Sequence, residues 1–502
     1  MFLNTSGNGL TSLDAIATIC RNYIFQKKSL ILEVSFIRVK IYNFTAVQFD
    51  SCFVLVSMKS IILIVYALVL FLIGIYSFLK VKTPSDYFLA GKKPGVWQIS
   101  GSLLATILGG SAILGTIGLA EVQSWASAWY ILAASLGLFG LLPIVKKVYS
   151  KGRFTLPELI GQYYGESARK VTSVIIPVAW LGVVAAQIIA GAQILVSFFG
   201  LTYPSGVLLT GIIFIVYTYI GGQVSIMKTD LFQSFFILGG IILTAYMIPT
   251  SKLPELPLFT SVFPFNSHFS PFDLFILILT FSSTFVVGPD IYSRVFCAKD
   301  PKTAFRSVLV VALILIPFGF VLSYVGIYAA TFHSGAQNSS SLVNLANSIL
   351  PEWATGILVA ALISAVLSTA ATTLLTAAMI LSELFHKDIN NQKSFKQTKF
   401  FIIGVGILSM VISSKITSIV SSLLLALSFY SGAFIIPMVA ALFNLRYNKR
   451  LGIAAMLSGG ILALSGKLLM TFNHPEIGSS ILISGFVLNA LLIFLPFREK
   501  GK

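Results

Sequence analysis

Polar residues set inside long apolar stretches are where this chain could do chemistry. The run Ala105-Thr106-Ile107-Leu108-Gly109-Gly110-Ser111 sits in the middle of one such stretch. Ser282-Ser283-Thr284, followed by Gly288-Pro289, sits in another. Glycine frees the backbone and proline removes an N–H donor, so both runs are places for a helix to unwind and release carbonyl oxygens. In Ser364-Ala365-Val366-Leu367-Ser368-Thr369-Ala370, residues 365, 368 and 369 are spaced i, i+3, i+4 and share one helix face. Uncharged oxygens suit a hard cation and bind it weakly enough for release. Two plainer readings stand beside this one. The hydroxyls could close onto the carbonyls four residues before them, and Gly109-Gly110 could be a close helix–helix contact. Asp230 reads as an acid at the start of a helix. It could line an ion route or simply favour the helix dipole. Asp290 and Arg294 stand i, i+4 and read as a structural pair. Enzyme chemistry has no footing, because His268, His333, His386 and His474 fall in scattered loops. Cys20, Cys52 and Cys297 show neither pairing nor metal spacing.

The elements that must position these residues dominate the chain. Of 502 residues, 56% are hydrophobic and 10% charged, with mean hydropathy +0.92. Runs of about 20 apolar residues are long enough to cross a bilayer, and being continuous rather than alternating they are helices. The reading predicts spans near 59–79, 97–120, 127–148, 170–199, 205–220, 229–249, 271–293, 304–331, 354–385, 398–413, 417–443, 451–471 and 478–497. The net charge of +17 is not one patch, so nucleic acid is not the partner. The basic residues gather in alternate loops: Lys80 to Lys93, Lys146 to Lys170, Lys228, Arg294 to Lys302, Lys387 to Lys399, Arg446 to Arg450, and the tail. Lys252 and Lys415 are the single exceptions. This parity predicts thirteen spans in a cell (inner) membrane, with the N-terminus outside and the C-terminus cytoplasmic.

Residues 1–57 fit that parity poorly and are expected to be a non-native or disordered extension, with translation starting at Met58. The expected organisation continues with a first span and cytoplasmic loop at 58–96, repeat one at 97–249, repeat two at 271–443, and two peripheral spans with a tail at 444–502. The two interrupted helices lie five spans apart. That odd offset makes them antiparallel, as an inverted repeat requires.

With these motifs in view, the chain resembles the sodium/solute symporter family over about residues 59–497. Asp86-Tyr87-Phe88-Leu89-Ala90-Gly91 is similar to a family motif, as is Tyr217-Thr218-Tyr219-Ile220-Gly221-Gly222-Gln223-Val224-Ser225. Thr229-Asp230 with Gln233, then Pro289 with Arg294, Ala298-Lys299, and the 364–370 segment follow at family spacing. The resemblance implies an all-α, leucine-transporter-like fold of two inverted five-helix repeats. It implies a sodium site formed by the carbonyls of Ala105, Leu108 and Ala365 with the hydroxyls of Ser368 and Thr369, and sodium exit past Asp230. Substrate candidates are Thr106, Gly109, Gly110 and Ser111, faced by Ser282, Ser283 and Thr284, with Gln187, Ser428, Tyr430 and Ser431 completing the pocket. Ile107 stands where the resembled proline symporters carry an acid, and Ala112 where sugar symporters carry an amide. Neither substrate carries over, and no Arg or Lys is expected at the helix breaks. The expected activity is sodium-coupled import of a small organic solute by alternating access, with sodium as coupling ion, no other cofactor, and a monomer as the working unit. The alternatives are proton coupling, or a membrane sensor of the same fold. Ser368 and Thr369 do not titrate, which disfavours protons. Only Phe497 to Lys502 follow the last span, which disfavours a fused output domain.

Overall fold

Lipid offers backbone groups no hydrogen-bond partner, so apolar runs of this length must satisfy their own N–H and C=O groups as helices. The computed structural model describes residues 57–79, 83–152, 155–248, 263–332, 341–385, 392–445 and 447–495. The expectations for residues 1–56, His333, His386 and loop residues such as Lys252 and Lys387 lie outside these.

Among the described residues, eleven helices are long and apolar enough to cross a membrane. Two adjustments convert this number into crossings. Helix Tyr203–Met247 is two spans joined across Gly222, whose φ of 60° and ψ of −177° leave the helical region. The stretch Gly110–Leu141 holds the second half of one span and the whole of the next, the first half being the shorter apolar helix Val96–Ile107. Among the described residues the chain is therefore an all-α polytopic membrane protein of thirteen spans, arranged as a leucine-transporter-like five-plus-five inverted repeat. The reading of 205–220 and 229–249 as separate helices with a loop between them is corrected. The kink is a single residue, and Lys228 and Asp230 lie within the helix, so Asp230 is not an N-terminal acid.

Both expected interruptions are present. Helix Val96–Ile107 ends at Leu108 (φ −82°, ψ 49°), Gly109 is extended (φ −67°, ψ 171°), and helix Gly110–Gln123 follows. In the second repeat, helix Pro271–Leu277 passes through a π-helical turn, Ile278–Ser282, into Ser283–Val286. It breaks at Val287 (φ −128°, ψ 28°) and extended Gly288 (φ −75°, ψ 127°) before Pro289–Cys297.

The helix that faces the first break is Glu352–Glu383. In its most apolar window 89% of residues are buried, against 11% for the first span, Met58–Ser77, whose outer side suits lipid. Small residues make this close packing possible. A Cβ on Gly240 would overlap Ala361, and one on Gly191 would press on Thr210 and Val366. At one end of the central helix, Arg169 binds Glu383 through both its Oε1 (3.0 Å) and its carbonyl (3.2 Å), and Thr155 donates to Glu383 Oε2. These contacts tie the helix to its neighbours Leu156–Tyr164 and Glu166–Phe199.

Candidate functional site

The first break is pressed directly onto the central helix. A Cβ at Gly109 would overlap the Thr369 hydroxyl, and one at Gly110 would overlap Val366. Thr369 Oγ1 donates to the carbonyls of Thr106 (2.9 Å) and Ala105 (3.2 Å). Leu108 leaves the helix beside them, and Ala105, Leu108 and Ala365 are wholly buried. Neither hydroxyl of the pair turns back on its own helix. Ser368 Oγ donates to Asp230 Oδ1 at 2.6 Å, and Thr373, one turn on, takes the Thr369 carbonyl instead. At Thr369 a buried hydroxyl of one helix thus meets two carbonyls of the other, oxygens of the kind a hard cation takes as ligands.

Asp230 is the anionic edge of this cluster and is fully buried. Its Oδ2 accepts from Ser102 Oγ (2.5 Å) and from Arg294 Nη2 (3.3 Å). Arg294 is also fully buried. It also donates to Ser102 (Nε, 3.1 Å), Ser293 (Nη1, 3.0 Å) and Thr372 (Nη2). The expected Asp290–Arg294 pair is corrected to this extent: the guanidinium reaches past its own helix to make its ion pair with Asp230, and it meets Asp290 through charge rather than direct contact. A guanidinium thus stands just beyond the second break, turned toward Asp230. It satisfies several buried oxygens at once, which repays desolvation better than a single ion pair does.

A cavity opens between the two breaks. Of the substrate candidates, Thr106, Gly109, Ser111, Gln187 and Thr284 line it; Trp180 and Asp290, which were not among them, line it too. Gln187 Nε2 donates to Ser111 Oγ at 2.7 Å. The other candidates do not reach the lining. Gly110 packs on Val366 and Ala190. The Ser282 carbonyl presses against Gly137, and Ser283 Oγ bonds the Leu279 carbonyl at 2.7 Å. Ser431 bonds the Ser428 carbonyl, and Ser428 Oγ is buried with no bond among the described residues. Tyr430 has a supporting part. Its hydroxyl donates to the Val287 carbonyl released at the second break, and its ring meets Trp180 edge-on at 4.8 Å. Asp290 had one signal in the sequence, an acid directly after Gly288-Pro289. Trp180 had none, because an aromatic in an apolar span reads as packing.

A family model, "Sodium:solute symporter family", matches residues 87–252 and 260–459. The osmoregulated proline transporter of Bacillus subtilis (strain 168) is 23% identical over 455 residues, covering 85% of this chain and 92% of that protein. The sodium/pantothenate symporter of Escherichia coli (strain K12) is 25% identical over 473 residues, covering 88% and 96%. Among solved structures, a Na+-coupled sialic acid symporter in a substrate-bound outward-open state is 18% identical, with a TM-score of 0.67. The match covers 86% of this chain and 98% of that one.

Proposed function

This chain belongs to the sodium:solute symporter family, and on that premise we propose that it couples solute import to one sodium ion held by the carbonyls of Ala105, Leu108 and Ala365 and the hydroxyls of Ser368 and Thr369. It is an integral membrane transporter of a small solute. The observation that carries the proposed site is the Thr369 hydroxyl lying within hydrogen-bond distance of two carbonyls at an unwound helix. Sodium arriving there draws Thr369 and the first break together. The central helix and the broken helix belong to opposite repeats, so a cation shared between them favours one arrangement of the repeats over another. Inward movement of one cation adds about 2.3 kcal/mol per 100 mV of membrane potential to the driving force. Asp230, one hydroxyl away through Ser368, is the next oxygen site on the exit path. The solute sits in the cavity between the breaks. The loop charges put the N-terminal end outside and the C-terminal end in the cytoplasm, and a single chain contains every residue of the site.

Thermal unfolding of the purified protein in sodium chloride against potassium chloride tests the site without knowledge of the solute. Wild type is expected to be stabilised by sodium selectively, and Ser368→Ala with Thr369→Ala is expected to lose that response. Sodium stabilisation that survives in the double variant removes the site. Radiolabelled amino acids, sugars and carboxylates offered to proteoliposomes, with and without a sodium gradient, then identify the solute.

A further inference from the structure

The cavity between the breaks contains two buried acceptors with no donor among the described residues. Asp290 is 8% exposed. Its Oδ2 accepts from Trp180 Nε1 at 2.8 Å, and the Thr376 side chain also interacts with the carboxylate. Its Oδ1 accepts no hydrogen bond. Gln187 is wholly buried. Its amide nitrogen is committed to Ser111, and its Oε1 accepts none. Both residues line the same cavity.

The surroundings make this pairing informative. A carboxylate oxygen buried without a donor is costly, and the usual remedy is a neighbouring cation. Among the described residues no Lys, Arg or His lines the cavity. Arg294, nearby, acts on Asp290 through its charge, but its Nε, Nη1 and Nη2 donate to Ser102, Ser293, Asp230 and Thr372 and leave Oδ1 without a donor. The rest of the lining is largely apolar, with Ile107, Val183, Phe281, Phe285, Leu423 and Leu427. The polar corner therefore offers acceptors, one of them anionic, and the opposite wall offers hydrocarbon and aromatic faces. A solute whose only charge is a carboxylate meets repulsion at Asp290.

We propose that the transported solute carries a protonated amine, bound by Asp290 Oδ1 and Gln187 Oε1, with an apolar body against the aromatic and aliphatic wall. The assignment rests on the symporter reading above and narrows its substrate class. Trp180 acts as a positioning residue. By holding Oδ2 it leaves the other carboxylate oxygen for the solute. The cavity has two free acceptors rather than a cage of oxygens, which suits an amine with a hydrocarbon body better than a second sodium ion.

Matched probes test this with the full-length purified protein in sodium chloride, read by thermal unfolding. One set is L-leucine, isoamylamine and 4-methylpentanoate; a second is L-proline, pyrrolidine and cyclopentanecarboxylate. In at least one set the amine-bearing members are expected to stabilise wild type at concentrations at least about tenfold below the carboxylate-only member. Asp290→Asn is expected to abolish that preference while keeping the stabilisation by sodium alone, which also shows that the variant folds. The wild-type comparison needs no variant at all. Three outcomes overturn the assignment: no amine stabilises wild type, the carboxylate-only probes do so better, or Asp290→Asn binds amines unchanged. A fourth does as well: Asp290→Asn losing the response to sodium alone, which would make Asp290 a sodium ligand. Sodium stabilisation without any preference for amines removes this inference and leaves the symport reading standing. Absence of sodium stabilisation in wild type removes the symport reading itself.

Discussion

The constraint on Gly109 comes from its neighbour rather than from its own backbone. Its φ of −67° suits any residue, but a methyl group there would overlap the Thr369 hydroxyl. Gly109→Ala is therefore expected to push the break off the central helix. The strain is worth roughly 1–3 kcal/mol, and the sodium response should weaken with it. Gly404 is the control, because a methyl group placed there would meet nothing within 4 Å. Gly404→Ala should leave the sodium response intact and raise helix stability by up to about 1 kcal/mol. A sodium chloride titration of the unfolding temperature separates the two, and equal responses would detach Gly109 from the site. At this scale the sequence was legible where spacing carried the information. Residues 365, 368 and 369 had to share a face, and Gly109-Gly110 marked a weak point in the helix. It was not legible where a long side chain chose among distant partners. Arg294 can extend to Asp290, one turn away, or to Asp230, 64 positions away in the chain, and only the packing of three helices decides for Asp230.

Helix interruptions come from different local causes, and the cause determines what a substitution does. At Gly222 the backbone itself is the constraint. A φ of 60° with ψ of −177° is a region that only glycine occupies at little cost, and the Tyr87 ring closes over the same spot. The two family-like motifs, Asp86–Gly91 and Tyr217–Ser225, thus meet at one residue. Gly222→Ala should cost roughly 1–3 kcal/mol from the backbone alone, with the ring overlap in addition, and should lower the unfolding temperature of the detergent-solubilised protein sharply. Adding Tyr87→Ala relieves only the overlap, so the double variant should remain destabilised. Full recovery would show the backbone argument to be mistaken. The second interruption works otherwise. Thr280 and Ser283 bond carbonyls four residues back, at 2.7 Å each, around the π-helical turn, and Pro289 lacks the N–H that would continue the helix. Glycine and proline announced this interruption in the sequence, as Gly109-Gly110 announced the first, whereas Gly222 was read as part of a loop between two helices. The π turn was silent, because hydroxyls that loosen a helix look the same as hydroxyls that merely pack against one.

Charge parity along the loops predicts which loops share a side of the membrane, and the hydrogen bonds between loops test that prediction without using charge at all. Lys59 binds the Phe198 carbonyl, Gln193 the Thr417 carbonyl, and Asn266 the Gln123 carbonyl. Every one of these joins ends that parity places outside. Lys147 binds the Leu442 carbonyl, Lys299 N–H the Pro94 carbonyl, and Arg169 Glu383. Every one of these joins ends that parity places inside. A count wrong by one span would mix the two groups downstream of the error. The span count was legible in the sequence because lysine and arginine record sidedness loop by loop, whereas the shape of the cavity depends on which faces meet and left no such record. The remaining step is to fix the absolute direction. Asn473 and Lys449 are exposed residues at opposite ends of helix Gly452–Thr471. In a background with the native cysteines replaced, a membrane-impermeant maleimide added to intact cells should label Asn473→Cys and leave Lys449→Cys unlabelled until the membrane is permeabilised. The reverse pattern would turn the whole molecule over and with it the side from which solute and sodium enter. Labelling of both in intact cells would mean that this helix does not cross, and the odd span count that sets the two ends on opposite sides would fail.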